Sequence, residues 1–350
     1  MKILRSLFSS YLIMGILILL SISCTKITPN LPPTQALSPI TDLYVSGTYG
    51  TQAVYWKNGV MGPKLEDPKN SSSAFSMFVK GSDIYIAGNI YVGNIANAVY
   101  WKNGKEFFLA DTSLDSYANA LTVSGNDVYI TGYISNGINP VATYWKNGKA
   151  IFLTDGNNDA AGLSIAISGN DIYIAGYEFN PNTQNYEAKY WKNGVPTVLT
   201  NGINLSAATA VLVNGKDVYV AGYDGYQAKY WKNNIGFNLT DGTHTAIATG
   251  IALQDSIVYI SGNEVSSVNN LHTVAKYWKN GIAVDLTDGN HNAMATSILV
   301  LGNDVYLSGF EIGTTVGASN YIAKYWKNKT PYILSDGTQF GYGSFMVVPN

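Results

Sequence analysis

Ala142-Thr143-Tyr144-Trp145-Lys146-Asn147-Gly148 is the stretch on which the reading of this chain turns. The same phrase, Ala-x-Tyr-Trp-Lys-Asn with Gly next in five copies, is written seven times, around Trp56, Trp101, Trp145, Trp191, Trp231, Trp278 and Trp326, and these are all the tryptophans present. Successive copies lie 45, 44, 46, 40, 47 and 48 residues apart. A fixed period of this size signals a repeat architecture, in which each unit needs its neighbours to bury its faces. That overrides the two or three domains that 350 residues would otherwise suggest.

Within one unit the residues read as four strands. Leu121–Ser124 is an apolar strand, Gly125-Asn126 a tight turn, and 127–132 (DVYITG) a second strand. A variable segment leads to the third strand, 142–146, then Asn147-Gly148 forms another tight turn before a fourth strand, 149–154. Glycine and asparagine tolerate the positive φ that two-residue hairpins require. The second strand recurs at 42, 83, 127, 171, 217, 257 and 304 with apolar residues on both faces, which fits blades stacked around an axis. Seven such units give an all-β, seven-bladed β-propeller of four-stranded antiparallel blades. The final stretch, Ser344–Asn350, aligns with Ser297–Asn303 and stops halfway through the turn, and Asp42, the counterpart of Asp304, is the residue that would come next. The first blade is therefore expected to take three strands from the N-terminal end and one from the C-terminal end.

Ahead of the repeats, residues 1–23 have the build of an export signal: Lys2 and Arg5, then an apolar run from Tyr11 to Leu20, then small residues. That run is short for a membrane span. Residues 25–40 hold four of the eleven prolines and no hydrophobic period, so they read as a tether of about 50 Å if extended. The expected organisation is 1–23 signal peptide, 24–40 anchor and tether, and 41–350 propeller. Cys24 is the single cysteine, which excludes an internal disulfide. Net charge is −2, becoming −4 once the first 23 residues are removed, and eleven of the 21 basic residues belong to the repeated phrase. No clustered basic face remains for nucleic acid.

Ser21-Ile22-Ser23-Cys24 resembles a bacterial lipobox, with Leu20 one place early for the commonest form. The resemblance implies cleavage before Cys24, a diacylglycerol on its sulfur and, with Thr25 next, an outer-membrane or cell-surface address. Over residues 41–350 the chain resembles sequence-repeat propellers such as the WD40 and kelch classes, without the Gly-His and Trp-Asp signature of the first or the double glycine of the second. It is more similar to exported bacterial lipoproteins with propeller repeats of the Tyr-Trp-Lys-Asn-Gly kind. That likeness implies a fold and an address and carries over no site residues.

Both tight turns of every unit fall at one end of the blade. The second-to-third connections, with 5, 9, 9, 11, 5, 12 and 13 residues between the strand glycine and the phrase alanine, fall at the other end together with the links between blades. Variable connections on a rigid scaffold are where binding is expected. Asp42 should lie on the opposite, tight-turn rim from Asn180 and Asn269, so a lipid on Cys24 would present the variable rim outward.

Two sets of residues on that rim are candidates for ligand contact. Five inter-blade links read Asp/Asn-Gly-x-polar-x, with Asn158, Asn204, His244, His291 and Gln339 in the polar place. Glu178, Asp224, Glu264 and Glu311 follow the second strand in four successive blades. Tyr223, Tyr226, Phe179 and Tyr186, in the variable segments, add aromatic surface, whereas the repeated Tyr-Trp pairs are expected to serve packing. The recurring Asp155, Asp241, Asp288 and Asp336 read as turn formers, since a residue needed once for chemistry would not recur in blade after blade. No nucleophile motif, phosphate loop or zinc motif is present, and two histidines in adjacent links do not make a metal set without further ligands; no cofactor and no metal are expected. The function expected is a membrane-anchored binding scaffold for a glycan, peptide or protein. The alternatives are a carbohydrate-active hydrolase or lyase using the four acids, which requires a carboxyl pair at a set separation, and a structural component of an envelope complex.

Overall fold

In a computed structural model, residues 42–65, 69–267, 271–313 and 320–349 are described; Cys24, the signal and tether segments and Asn269 lie outside them. The described regular structure is all β: seven sheets of four antiparallel strands. No helix among the described residues is long and apolar enough to cross a membrane. Blade 4 shows the plan, with strands Ala160–Ser168, Asp171–Asn180, Asn185–Lys192 and Val195–Val198 hydrogen-bonded in that order. Blade 1 is composite: Gly341–Val347 lies beside Tyr44–Tyr49, followed by Gln52–Lys57 and Val60–Met61. The first strands of consecutive blades touch all the way round, including Gly341–Val347 against both Ala293–Leu301 and Ser71–Lys80. The ring is closed.

The repeated phrase works as a socket system. Trp145 is fully buried and packs with Ile130 and Leu121 of its own blade against Tyr85, Ala87 and Ala98 of the preceding one. Trp191 meets Tyr129 and Ala142 in the same way, and Trp231 meets Tyr173 and Ala188. The phrase alanine and the second-strand tyrosine of one blade thus form the seat for the tryptophan of the next. The tyrosine before each tryptophan turns to the opposite face, as alternation along a strand demands: Tyr144 packs with Trp191 of the following blade.

The Lys-Asn pair has a local task. Asn147 adopts φ +52° at the turn, its Oδ1 accepts the Val128 N–H at 2.8 Å, and its Nδ2 donates to Asp127 at 2.8 Å. Lys146 pairs with the other oxygen of Asp127 at 2.8 Å and stands over the Tyr129 ring at 5.2 Å. These bonds hold the Asp127 carboxyl below its usual range, chiefly through Lys146. Asparagine makes the same backbone contact in every blade, while in blade 6 Ile257 replaces the aspartate.

Each inner strand carries a β-bulge where the second strand has its glycine. The bulge drives the partner backbone inward, so that a Cβ on Gly132 would lie 1.7 Å from the Tyr117 carbonyl oxygen. Only glycine fits. Five of the seven extra residues are polar and donate to the inner strand of the next blade: Asn119 to Gly162, Thr209 to Ala248, Thr249 to Ala295, Thr296 to Gly343 and Ser344 to Ala74, at 2.5–2.9 Å. The last two pass through the C-terminal strand.

The variable second-to-third connections prove shorter than the sequence reading expects, because the strands run on into them. Phe179, Tyr186 and Tyr223 lie in strands, and only Tyr226 sits in a turn. Asp42, paired with Lys57 at 2.6 Å and with Asn58, stands at the tight-turn end of its blade. Asn180 closes the hairpin at the other end of blade 4.

Candidate functional site

The hairpin rim is built by the second-to-third hairpins and by the links that enter each inner strand. The five Asp/Asn-Gly links are turns: Asp155, Asn201, Asp241, Asp288 and Asp336 each accept the backbone N–H two residues on, at 2.9–3.1 Å. The following glycine takes a positive φ in all five. This side-chain turn accounts for the recurrence of aspartate at this place.

The polar and acidic candidates are neighbours. Register sets Glu178 opposite Ala160, Asp224 opposite Ser206, Glu264 opposite Ala246 and Glu311 opposite Ala293. Each acid therefore lies two inner-strand positions from the polar residue of its link. In blade 5 they meet, Asn204 Nδ2 donating to Asp224 at 3.1 Å. His244 instead shares a hydrogen bond with Thr243 Oγ1 at 3.0 Å, Asn158 is half-buried, and Gln339 is exposed with its amide against Gly50. His291 approaches Glu311 and also stacks on His272 with ring centroids 6.3 Å apart, a partnership not visible from sequence.

Each acid has a lysine. Glu178 pairs with Lys189 at 2.8 Å, Asp224 with Lys229 at 3.1 Å, Glu264 with Lys276 at 2.6 Å and Glu311 with Lys324 at 2.5 Å. These lysines come from the variable place of the repeated phrase, one strand across. The pairs are largely shielded from water, which makes them a rigid lining.

The residues that sequence reasoning mostly missed form an aromatic collar at the hairpin end of the inner strands. Tyr117 on an inner strand stacks on Tyr133 of the second strand at 4.9 Å. Tyr91, Tyr177, Tyr223 and Tyr342 occupy related places in blades 2, 4, 5 and 1 and interact electrostatically with these or with one another across the blade seams. Burial pushes all six phenols up, Tyr342 to about 12. Tyr177 meets Tyr186 edge-on at 5.2 Å, and Tyr186 donates to Asp159 at 3.0 Å. On the far side Phe310, Tyr321, Phe340 and Tyr342 form a chain of edge and tilted contacts at 4.6–6.2 Å. The sequence signal was an aromatic residue immediately after the second-strand glycine: Tyr133, Tyr177, Tyr223 and Phe310.

No protein-family model matches the chain, and no curated protein matches it. Among solved structures it is similar to a Mycobacterium tuberculosis puromycin-hydrolyzing peptidase, with TM-score 0.40 and 10% identity over 76% of this chain and 54% of that one. This chain thus matches about half the length of that protein. So distant a likeness carries no argument about chemistry.

Proposed function

We propose that the protein is a lipid-anchored binding module of a bacterial cell envelope that takes up a glycan on its hairpin rim. Cys24 carries the lipid, residues 25–40 form the tether, and the tight-turn rim faces the membrane of the outer envelope. The tyrosine collar carries this reading. Six phenols from five successive blades gather at the inner end of one rim. Aromatic faces bury large apolar area while their hydroxyls keep hydrogen-bonding capacity, which suits sugars with one apolar face and many hydroxyls. The lysine-paired acids around the collar supply fixed acceptors and donors. A hydrolase or lyase reading is weaker, since each of the four acids is already committed to a lysine.

Residues 25–350, prepared without lipid, test the binding reading by calorimetry against soluble oligosaccharides. Binding is expected, and Tyr133→Ala with Tyr177→Ala should weaken it at least about ten-fold, the loss of one or two good contacts. Peptide binding without any oligosaccharide binding, or glycan binding indifferent to the double variant, would overturn it. In the full chain Cys24→Ser should move the protein from membranes to the soluble fraction; retention on membranes would refute the anchor.

A further inference from the structure

Blade 7 brings together, at the hairpin rim, side chains that sequence spacing kept apart. Asp288 and His291 lie in the link that enters the blade, and Glu311 lies on its second strand, opposite the start of the inner strand. One ligand atom from each of the three falls within 4.8 Å of the other two. His272, from the hairpin of blade 6, stacks on His291 at 6.3 Å between ring centroids. We infer that Asp288, His291 and Glu311 form a divalent-metal site of the zinc class, with His272 packed against the histidine ligand.

The donor chemistry fits that class. One imidazole with two carboxylates suits Zn²⁺ and its borderline relatives, whereas Ca²⁺ and Mg²⁺ want an all-oxygen shell. Both carboxylates are already oriented, as metal ligands ordinarily are by the groups behind them. Asp288 accepts from the Asn290 N–H at 2.9 Å and from its amide at 2.7 Å, and Glu311 accepts from Lys324 at 2.5 Å. Two acids against one lysine leave a net negative charge for a cation.

The neighbouring blade supplies an internal control. Asp241, His244 and Glu264 occupy the same places there. His244, however, is turned onto the hydroxyl of Thr243, and at the corresponding place in blade 7 stands Asn290, whose amide is spent on Asp288. The links differ at two positions, Thr243 against Asn290 and Thr245 against Asn292, and the first of these carries the contact that holds His244 locally.

The test uses residues 25–350, stripped with chelator and titrated with ZnCl₂ by calorimetry, with Co²⁺ absorption as a second readout. One strong site is expected. His291→Ala and Glu311→Gln should each weaken it at least ten-fold and abolish the Co²⁺ bands, and His244→Ala should leave both unchanged. Asp288→Asn, which keeps the turn as Asn201 does in blade 4, separates loss of a ligand from loss of fold, and unchanged metal-free melting confirms that each variant folds. Absence of a strong site, or equal sensitivity to His244→Ala and His291→Ala, would overturn the assignment. The outcome is independent of glycan binding, which these titrations do not contain.

Discussion

At the scale of single residues, the turn after each third strand shows how much one side chain can be asked to do. Asn147 supplies a left-handed backbone, an acceptor for Val128 and a donor to Asp127. The next position needs a positive φ as well, and five blades use glycine there. Blade 5 has Asn234 at φ +70° and blade 7 has Lys329 at φ +75°. A lysine pays a steric penalty there that glycine escapes, so Lys329→Gly should stabilise the protein by about 0.5–1 kcal/mol. Denaturant unfolding with an unchanged slope would record it; a neutral or destabilising result would show that the strain is relieved elsewhere. The turn chemistry was legible from Asn-Gly alone. The contact of Asn147 with Asp127 was not, because it joins two turns at the same end of the blade and twenty residues apart.

Elements were legible in proportion to how regularly they alternate. Second and third strands, unbroken in period, were read directly at their tight-turn ends, as 127–132 and 142–146, though they run on to Asp127–Ser135 and Pro140–Lys146. The inner strands were read only in their later halves, as Leu121–Ser124 rather than Ser116–Ser124. The bulge at Asn119 inserts one residue and reverses which side chain faces which way, hiding the earlier half and with it Tyr117. The same device hid Tyr342, whereas Tyr91, Tyr133 and Tyr177 lie on second-strand extensions beyond the glycine at which the sequence reading ended those strands, so that only Tyr223 came into view. The collar has a pH signature of definite sign. Phenols whose pKa is raised in the folded state favour folding while protonated. Their contribution is complete below the unfolded value, near 10, and is lost as pH rises through the folded values, about 12 for Tyr342. Ultraviolet titration should therefore show a class of tyrosines that ionise only as the fold melts, at or above pH 12, beside an exposed class near 10. A single class titrating near 10 with the fold intact would mean that the collar hydroxyls are not desolvated by their neighbours.

At the scale of the molecule, ring closure rests on Gly341–Val347. Ser344 and Thr296 pass the inner hydrogen bonds through it, and its own Met346 is buried. Removing residues 341–350 would expose Tyr44–Tyr49 as an unpaired edge and break the circle of inner strands. Because a domain's whole stability is only about 5–15 kcal/mol, the truncated chain is expected to lose cooperative melting and to associate. A synthetic 341–350 peptide added in trans should restore it. Cooperative melting unchanged by the truncation would show that six complete blades suffice. The closure was foreseen from the alignment of the two chain ends, since a repeat that stops in mid-unit states what must complete it.

That closure also decides how the molecule carries load. The chain enters the propeller at Asp42, at the head of a strand flanked on both sides, by Gly341–Val347 and by Gln52–Lys57. Tension drawn along that strand loads both ladders in shear, so many hydrogen bonds must give way together. An outermost strand such as Val60–Met61, with a single partner, would instead peel one bond at a time. The weave that completes the circle thus also makes its point of attachment the mechanically resistant one.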